Sequence, residues 1–181
     1  MERLREELST VFPQECFLQG TRIEEKGRAF SIKPNTGEAA IGITLNPLRE
    51  NWPEGKGICD GLFVCLTPDC NHLIVTLVEL KGSDVNKAMS QIEDSCLLLC
   101  KVPNPVCKIH SKRVSEAASS FSGSGHGQGV LGIIVSRTGL AQNQQKKSAL
   151  WNKHKLRIHI ETGRLQAISC SFLARKFCGA N

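Results

Sequence analysis

The 181-residue chain has no tyrosine, only four aspartates, and no apolar stretch of the roughly 18 residues that would cross a bilayer as a helix. The last absence excludes a membrane-spanning helix. The opening "MERLREELSTVF" lacks the uninterrupted apolar segment of a signal peptide and instead spaces Leu4, Leu8 and Val11 helically among charges. No export is expected. Nine cysteines, an odd number, without a secretory signal are expected as reduced thiols in the cytoplasm rather than as a disulfide framework. No internal repeat is present, and nothing resembles a second domain. The expectation is therefore one domain over residues 1–181, with a core over about 1–136 and a basic C-terminal extension over about 137–181.

What is present is a globular composition, 40% hydrophobic and 22% charged, with a formal net charge of +6. That charge is uneven: "KIHSKR" (108–113) and "KKSALWNKHKLR" (146–157) hold much of it, while the first half is nearly balanced. A charge run is usually a solvated face, but the asymmetry favours a polyanionic partner. Lys146, Lys147, Lys153, Lys155 and Arg157 are the candidate phosphate neutralisers, giving salt-dependent, sequence-independent affinity for DNA.

Along the chain, "RAFSIK" and "AIGITL" read as strands at the side of a sheet, set among loops rich in Gly, Pro and Asn. Two stronger apolar runs, "ICDGLFVCL" (58–66) and "HLIVTLVEL" (72–80), flank "TPDCN" and predict a hairpin. From Ser83 the period changes. Val85, Ala88, Met89, Ile92, Cys96 and Leu99 recur every three or four residues behind Ser83 or Asp84 as N-cap, predicting a helix. "VLGIIVS" (130–136) reads as a core strand, "AQNQQKKSALWNKH" as a basic helix, and "KLRIHIE" as a strand with one basic side. The order predicts an α/β layered domain around a mixed sheet.

Glu-x-Lys is a weak pattern, since a chain with 13 Glu and 13 Lys holds about one by chance, and this one holds three. Glu24-Glu25-Lys26 and Glu54-Gly55-Lys56 lie in polar, turn-like surroundings. Glu79-Leu80-Lys81 instead ends an apolar strand, where Glu79 and Lys81 share a face and Leu80 packs into the core. If 68–71 is a four-residue loop, Thr67 faces His72 and Asp60 faces Glu79. Facing residues have Cβ atoms about 4.5–5.5 Å apart, so two carboxylates would converge beside one ammonium. Like charges there call for a cation between them, and a divalent ion is the candidate. The ordinary alternative is an Asp60–Lys81 salt bridge with Glu79 solvated at the end of the sheet.

These residues resemble the PD-(D/E)xK nuclease superfamily, the restriction-endonuclease-like fold. Its core of helix, acidic hairpin or meander, second helix and further strand resembles residues 1–136, and implies a three-layer arrangement in which helices flank a central mixed sheet. By the resemblance, Asp60 is the first acidic ligand, Glu79 the second and Lys81 the lysine. Gln91 matches the glutamine of a Gln-x-x-x-Tyr motif found in some branches, but position 95 is Ser95, and the residue before Asp60 is Cys59 rather than proline. The resemblance implies Mg²⁺, with Mn²⁺ able to substitute, held by Asp60, Glu79 and the Leu80 carbonyl, and hydrolysis of a DNA phosphodiester to leave a 5′-phosphate. Lys81 would position the water and offset the transition-state charge.

The leading expectation is thus a metal-dependent DNA endonuclease, of the kind that serves as cutting subunit in restriction or phage defence. So short a chain leaves little room for a recognition domain, so sequence choice is expected from a homodimer, a separate ATPase or a specificity subunit. Two alternatives stand beside it: a non-catalytic nuclease-like module binding nucleic acid or a partner protein, and a structural or assembly subunit. Cys96, Cys100, Cys107 and His110 can be written as a zinc site, but their spacing favours buried free thiols. Cys59, Cys65 and Cys70 read as small core residues. "GSGHGQG" (123–129) lacks the Lys-Ser/Thr of a P-loop and reads as part of a Gly/Ser loop, with His126 a weak phosphate contact.

Overall fold

The computed structural model describes residues 2–67, 73–81, 83–100, 130–136, 144–163 and 165–178. Along them the chain forms α1 (Glu2–Ser9), β1 (Arg22–Glu25), β2 (Arg28–Ile32), β3 (Ala39–Thr44), β4 (Gly61–Leu66) and β5 (Leu73–Leu80). These are followed by α2 (Val85–Cys100), β6 (Val130–Ser136), α3 (Gln144–His154), β7 (Leu156–Thr162), β8 (Leu165–Ile168) and α4 (Cys170–Cys178). The protein is α/β, with two mixed sheets.

The central sheet has the order β3-β4-β5-β6-β7. Its first three strands form an antiparallel meander, and β6 and β7 continue it in parallel. The consecutive apolar residues of β4, β5 and β6 suit strands covered on both faces. Period-two alternation divides them. Leu62, Val64, Val75, Leu77 and Ile134 join the core beneath α1, α2 and α3. Phe63, Cys65, Val78, Leu80, Ile133 and Val135 face a second core, closed by the small sheet β1-β2-β8 and by α4. One face is therefore covered by helices and the other by a sheet and a helix.

The six α2 residues with helical spacing are all buried. At about 1.5–3 kcal/mol for each large side chain, this stripe fixes the helix on β5 and β6. Asp84 caps it, accepting from the Lys87 N–H at 2.9 Å. "RAFSIK" and "AIGITL" both form strands, but they part company: β2 belongs to the small sheet, and β3 is an edge of the central one. The segment assigned to the extension supplies the other edge, since β7 pairs with β6 from Leu156 to Thr162. β1, β8 and α4 carry no strong periodicity and were not expected. β1 and β2 turn through Lys26 (φ 48°) and Gly27 (φ 72°), the two left-handed positions of a tight hairpin. None of the described helices is long and apolar enough to cross a membrane.

Candidate functional site

The hairpin register is the expected one. Gly61 pairs Val78 and Leu62 pairs Leu77, and the paired ladder ends there, one step short of Asp60 and Glu79. The turn at 68–71, with Cys70, lies outside the described residues. At that step the backbone ladder gives way to side-chain bonding: the Asp60 N–H donates to the Val78 carbonyl at 3.0 Å, and the Leu80 N–H donates to Asp60 Oδ2 at 2.7 Å. Asp60 is 4% exposed and Glu79 2%. Glu79 follows Val75 and Leu77 in period two on the α2 side of the sheet, whereas Leu80 packs into the opposite core.

The ordinary alternative fails here, because Glu79 is buried and the lysine pairs with it. Lys81 Nζ lies 3.3 Å from Glu79 Oε1 and donates to Gln91 Oε1 at 2.8 Å. Gln91 in turn donates to the Ile58 carbonyl at 2.9 Å, tying the lysine to the segment that leads into Asp60. A glycine makes that approach feasible: a Cβ on Gly57 would sit 2.8 Å from Gln91 Cγ and 3.0 Å from its Cα. The Ser95 hydroxyl accepts from the Cys59 N–H at 2.9 Å. Ser95 is therefore a structural anchor for the same segment.

Two residues not anticipated join the site. Arg49, in the 3-10 turn Asn46–Asn51 after β3, donates to Asp60 Oδ1 at 3.1 Å. Glu25, the last residue of β1, shares a hydrogen bond with the Asp60 carboxyl. Neither carried a local signal. Arg49 sits in a polar loop, and Glu25 belongs to a Glu-x-Lys match that read as solvated.

The electrostatics follow from crowding three acids at a dry edge. Burial, then the Glu79 charge and the bond to Glu25, raise the Asp60 pKa to about 8. Glu25 is shifted down, chiefly by accepting from Asp60. Asp60 thus holds the proton between them. Burial raises Glu79, opposed by the Lys81 ammonium. Burial likewise pushes the Cys59 thiol up to about 12, so it is no nucleophile.

Among the described residues, no group of three His, Cys, Asp or Glu side chains is assembled to hold a metal ion. The family's donor set needs only two carboxylates and a backbone carbonyl, and one observation fits it: Glu79 Oε2 is buried without a hydrogen-bond partner. A buried carboxylate oxygen in that state is an available ligand.

The basic candidates do not form one patch. Lys146 and Lys147 lie in the first turn of α3, where Lys146 Nζ bonds the Asn86 carbonyl and Ser90 Oγ near the start of α2. Lys147 is half-buried, and burial lowers its pKa. These two share the end of the sheet that carries Lys81. Lys153, Lys155 and Arg157 lie at the opposite end, where Arg157 pairs with Leu131 at the start of β6. Lys155 and Arg157 both stack on Trp151, at 5.5 and 5.0 Å, and Arg157 also donates to the Lys176 carbonyl at 3.0 Å. Cys59, Cys65 and Cys96 are buried, while Cys107, His110, His126 and the side chain of Cys100 lie outside the described residues.

No family model matches the chain, and neither a curated protein nor a solved structure matches it significantly.

Proposed function

We propose that this protein is a Mg²⁺-dependent DNA endonuclease of the PD-(D/E)xK type. The observation that carries the reading is the burial of Asp60 and Glu79 at one end of the β4–β5 hairpin, near enough for the Glu79 charge to act on Asp60, with Lys81 held against Glu79. The element order supports it: α1, the meander β3-β4-β5, α2 and the parallel strand β6 follow the sequence of elements in the restriction-endonuclease-like core.

Asp60, Glu79 and the Leu80 carbonyl would hold Mg²⁺ or Mn²⁺, which supplies Lewis acidity towards a phosphate oxygen and lowers the pKa of a bound water. The remaining work belongs to the protein's own side chains. Lys81 orients the attacking water and offsets negative charge as the phosphodiester is cleaved. Gln91 fixes the lysine through its amide oxygen and anchors itself through its amide nitrogen. The proton that Asp60 shares with Glu25 must leave before Asp60 can act as a ligand. Arg49, partly exposed, holds Asp60 Oδ1 in place through a hydrogen bond until a ligand arrives.

The test is nicking and cleavage of plasmid DNA in Mg²⁺, Mn²⁺ or EDTA, comparing wild type with Asp60→Ala and Lys81→Ala. Cutting that requires metal and is lost in both variants is the expected result. Metal-dependent cutting that survives in both would overturn the assignment. One observation favours a second reading, a non-catalytic module: the Arg49 guanidinium already gives Asp60 a cationic partner. DNA binding without cutting under every metal condition would select it.

A further inference from the structure

Arg28 opens β2, directly after the Lys26–Gly27 turn, and pairs across the hairpin with Glu25. Phe30 and Ile32 project from β2 into the core against the central sheet, and period two sends Arg28 the same way. Arg28 is only 7% exposed, and its Nε is buried without a hydrogen-bond partner. The neighbouring acid does not neutralise it, because Glu25 bonds Asp60 and Lys26. Other arginines are engaged: Arg22 with Glu24, Arg49 with Asp60, and Arg157 with a carbonyl and Trp151. Among the described residues no carboxylate pairs with Arg28.

A guanidinium keeps its charge at any physiological pH, so burial without a counter-ion is costly and does not relax by deprotonation. The position tells what relieves it. Glu25 touches Asp60, so Arg28, facing Glu25, stands one hairpin pair away from the acidic site. Facing side chains begin about 4.5–5.5 Å apart.

We infer that Arg28 is a phosphate-binding residue, whose planar fork grips a backbone phosphate of the nucleic acid lying next to the one at Asp60 and Glu79. This rests on the nuclease reading for the substrate's identity, but the anion subsite stands on Arg28 itself. Bidentate contact with two phosphate oxygens supplies the counter-charge that the fold withholds. The hairpin turn then has two tasks, delivering Glu25 to Asp60 and Arg28 to the substrate.

The experiment uses the full chain in EDTA, so that binding is read without cleavage. Wild type, Arg28→Met and Arg28→Lys are melted with and without pyrophosphate, and titrated with a fluorescent single-stranded oligodeoxynucleotide. Arg28→Met fills similar space without charge, and Arg28→Lys keeps the charge without the fork. The expected result is that Arg28→Met melts higher than wild type, gains nothing from pyrophosphate and binds the oligonucleotide about tenfold more weakly or worse. Arg28→Lys falls between. A lower melting temperature for Arg28→Met with unchanged oligonucleotide affinity would make the guanidinium structural and overturn the proposal. Protection by pyrophosphate with unchanged oligonucleotide affinity in both variants would assign the site to a free phosphate compound and overturn it equally. Should Arg28→Met not fold, wild-type affinity in Arg28→Lys overturns it. Failure of the nuclease reading appears separately, as absence of cutting when Mg²⁺ is restored.

Discussion

The acidic edge around Asp60 and Glu79 and the basic segment over 146–157 both concentrate charge, yet they spend it differently. At the edge the carboxylates are almost fully buried and bonded to backbone, arginine or lysine. In the segment, Lys153 and Lys155 are exposed, and two of the cations lie over Trp151. A buried charge costs free energy unless it is paired or ready for a ligand, whereas a solvated charge costs little. Substitutions should therefore act locally and strongly at the edge, and weakly and additively in the segment.

The largest effect is expected at the acids. Glu79→Met should lower Mg²⁺-dependent cleavage at least about 100-fold while leaving the protein as stable or more so, because an apolar side chain of similar size replaces an under-bonded buried carboxylate. Cleavage assays and urea melts on one preparation would check both halves. A loss of stability without loss of cutting would break the contrast between the regions.

Next is the shell that holds the lysine. Gln91→Leu should lower activity by about 10–100-fold, since Lys81 loses its amide partner. Gly57→Ala should cost about 1–3 kcal/mol in urea unfolding, because the new Cβ meets Gln91.

A pH dependence separates the regions without altering the metal question. Asp60 has a folded-state pKa raised to about 8, so the folded state holds a proton that the unfolded state releases near pH 4. In EDTA, this group's contribution is fully present below about pH 4 and is lost as pH rises towards 8. Glu79, also raised, acts in the same sense, and Glu25, lowered, acts in the opposite sense at the acid end. Melting curves of Asp60→Asn should show a flatter decline over that interval than wild type. An equal slope would place the proton elsewhere.

The smallest effects belong to the basic segment. Lys153→Gln should change stability by less than about 0.5 kcal/mol. If DNA lies across the acidic edge, Lys147→Gln should reduce the salt slope of DNA binding by about one, and Lys153→Gln by less. Equal slopes would mean that both ends of α3 meet the nucleic acid.

Local pattern carried the main elements where periodicity was strong. The α2 stripe, the β4–β5 hairpin and the alternation in β7 are properties of neighbouring residues, and hydrophobic burial acts on them directly. The register of β4 on β5 followed from loop length, so the arrival of Asp60 and Glu79 at one end of the hairpin was legible. Their joint burial, and the choice of Glu79 as partner for Lys81, were not. Neither were β1, β8 and α4, which are short and held by contacts distant in sequence. β2, for example, pairs in parallel with β8, joining Phe30 to Gln166.

The sequence by itself determined an acidic pair at one end of the hairpin, because which residues reach that end depends only on position and register. The tertiary structure decided which charges attend that pair. Glu25 and Arg49 arrive from separate loops, and Arg28 is buried one hairpin pair away without a counter-ion. Such contacts depend on how layers pack, and no local spacing encodes them.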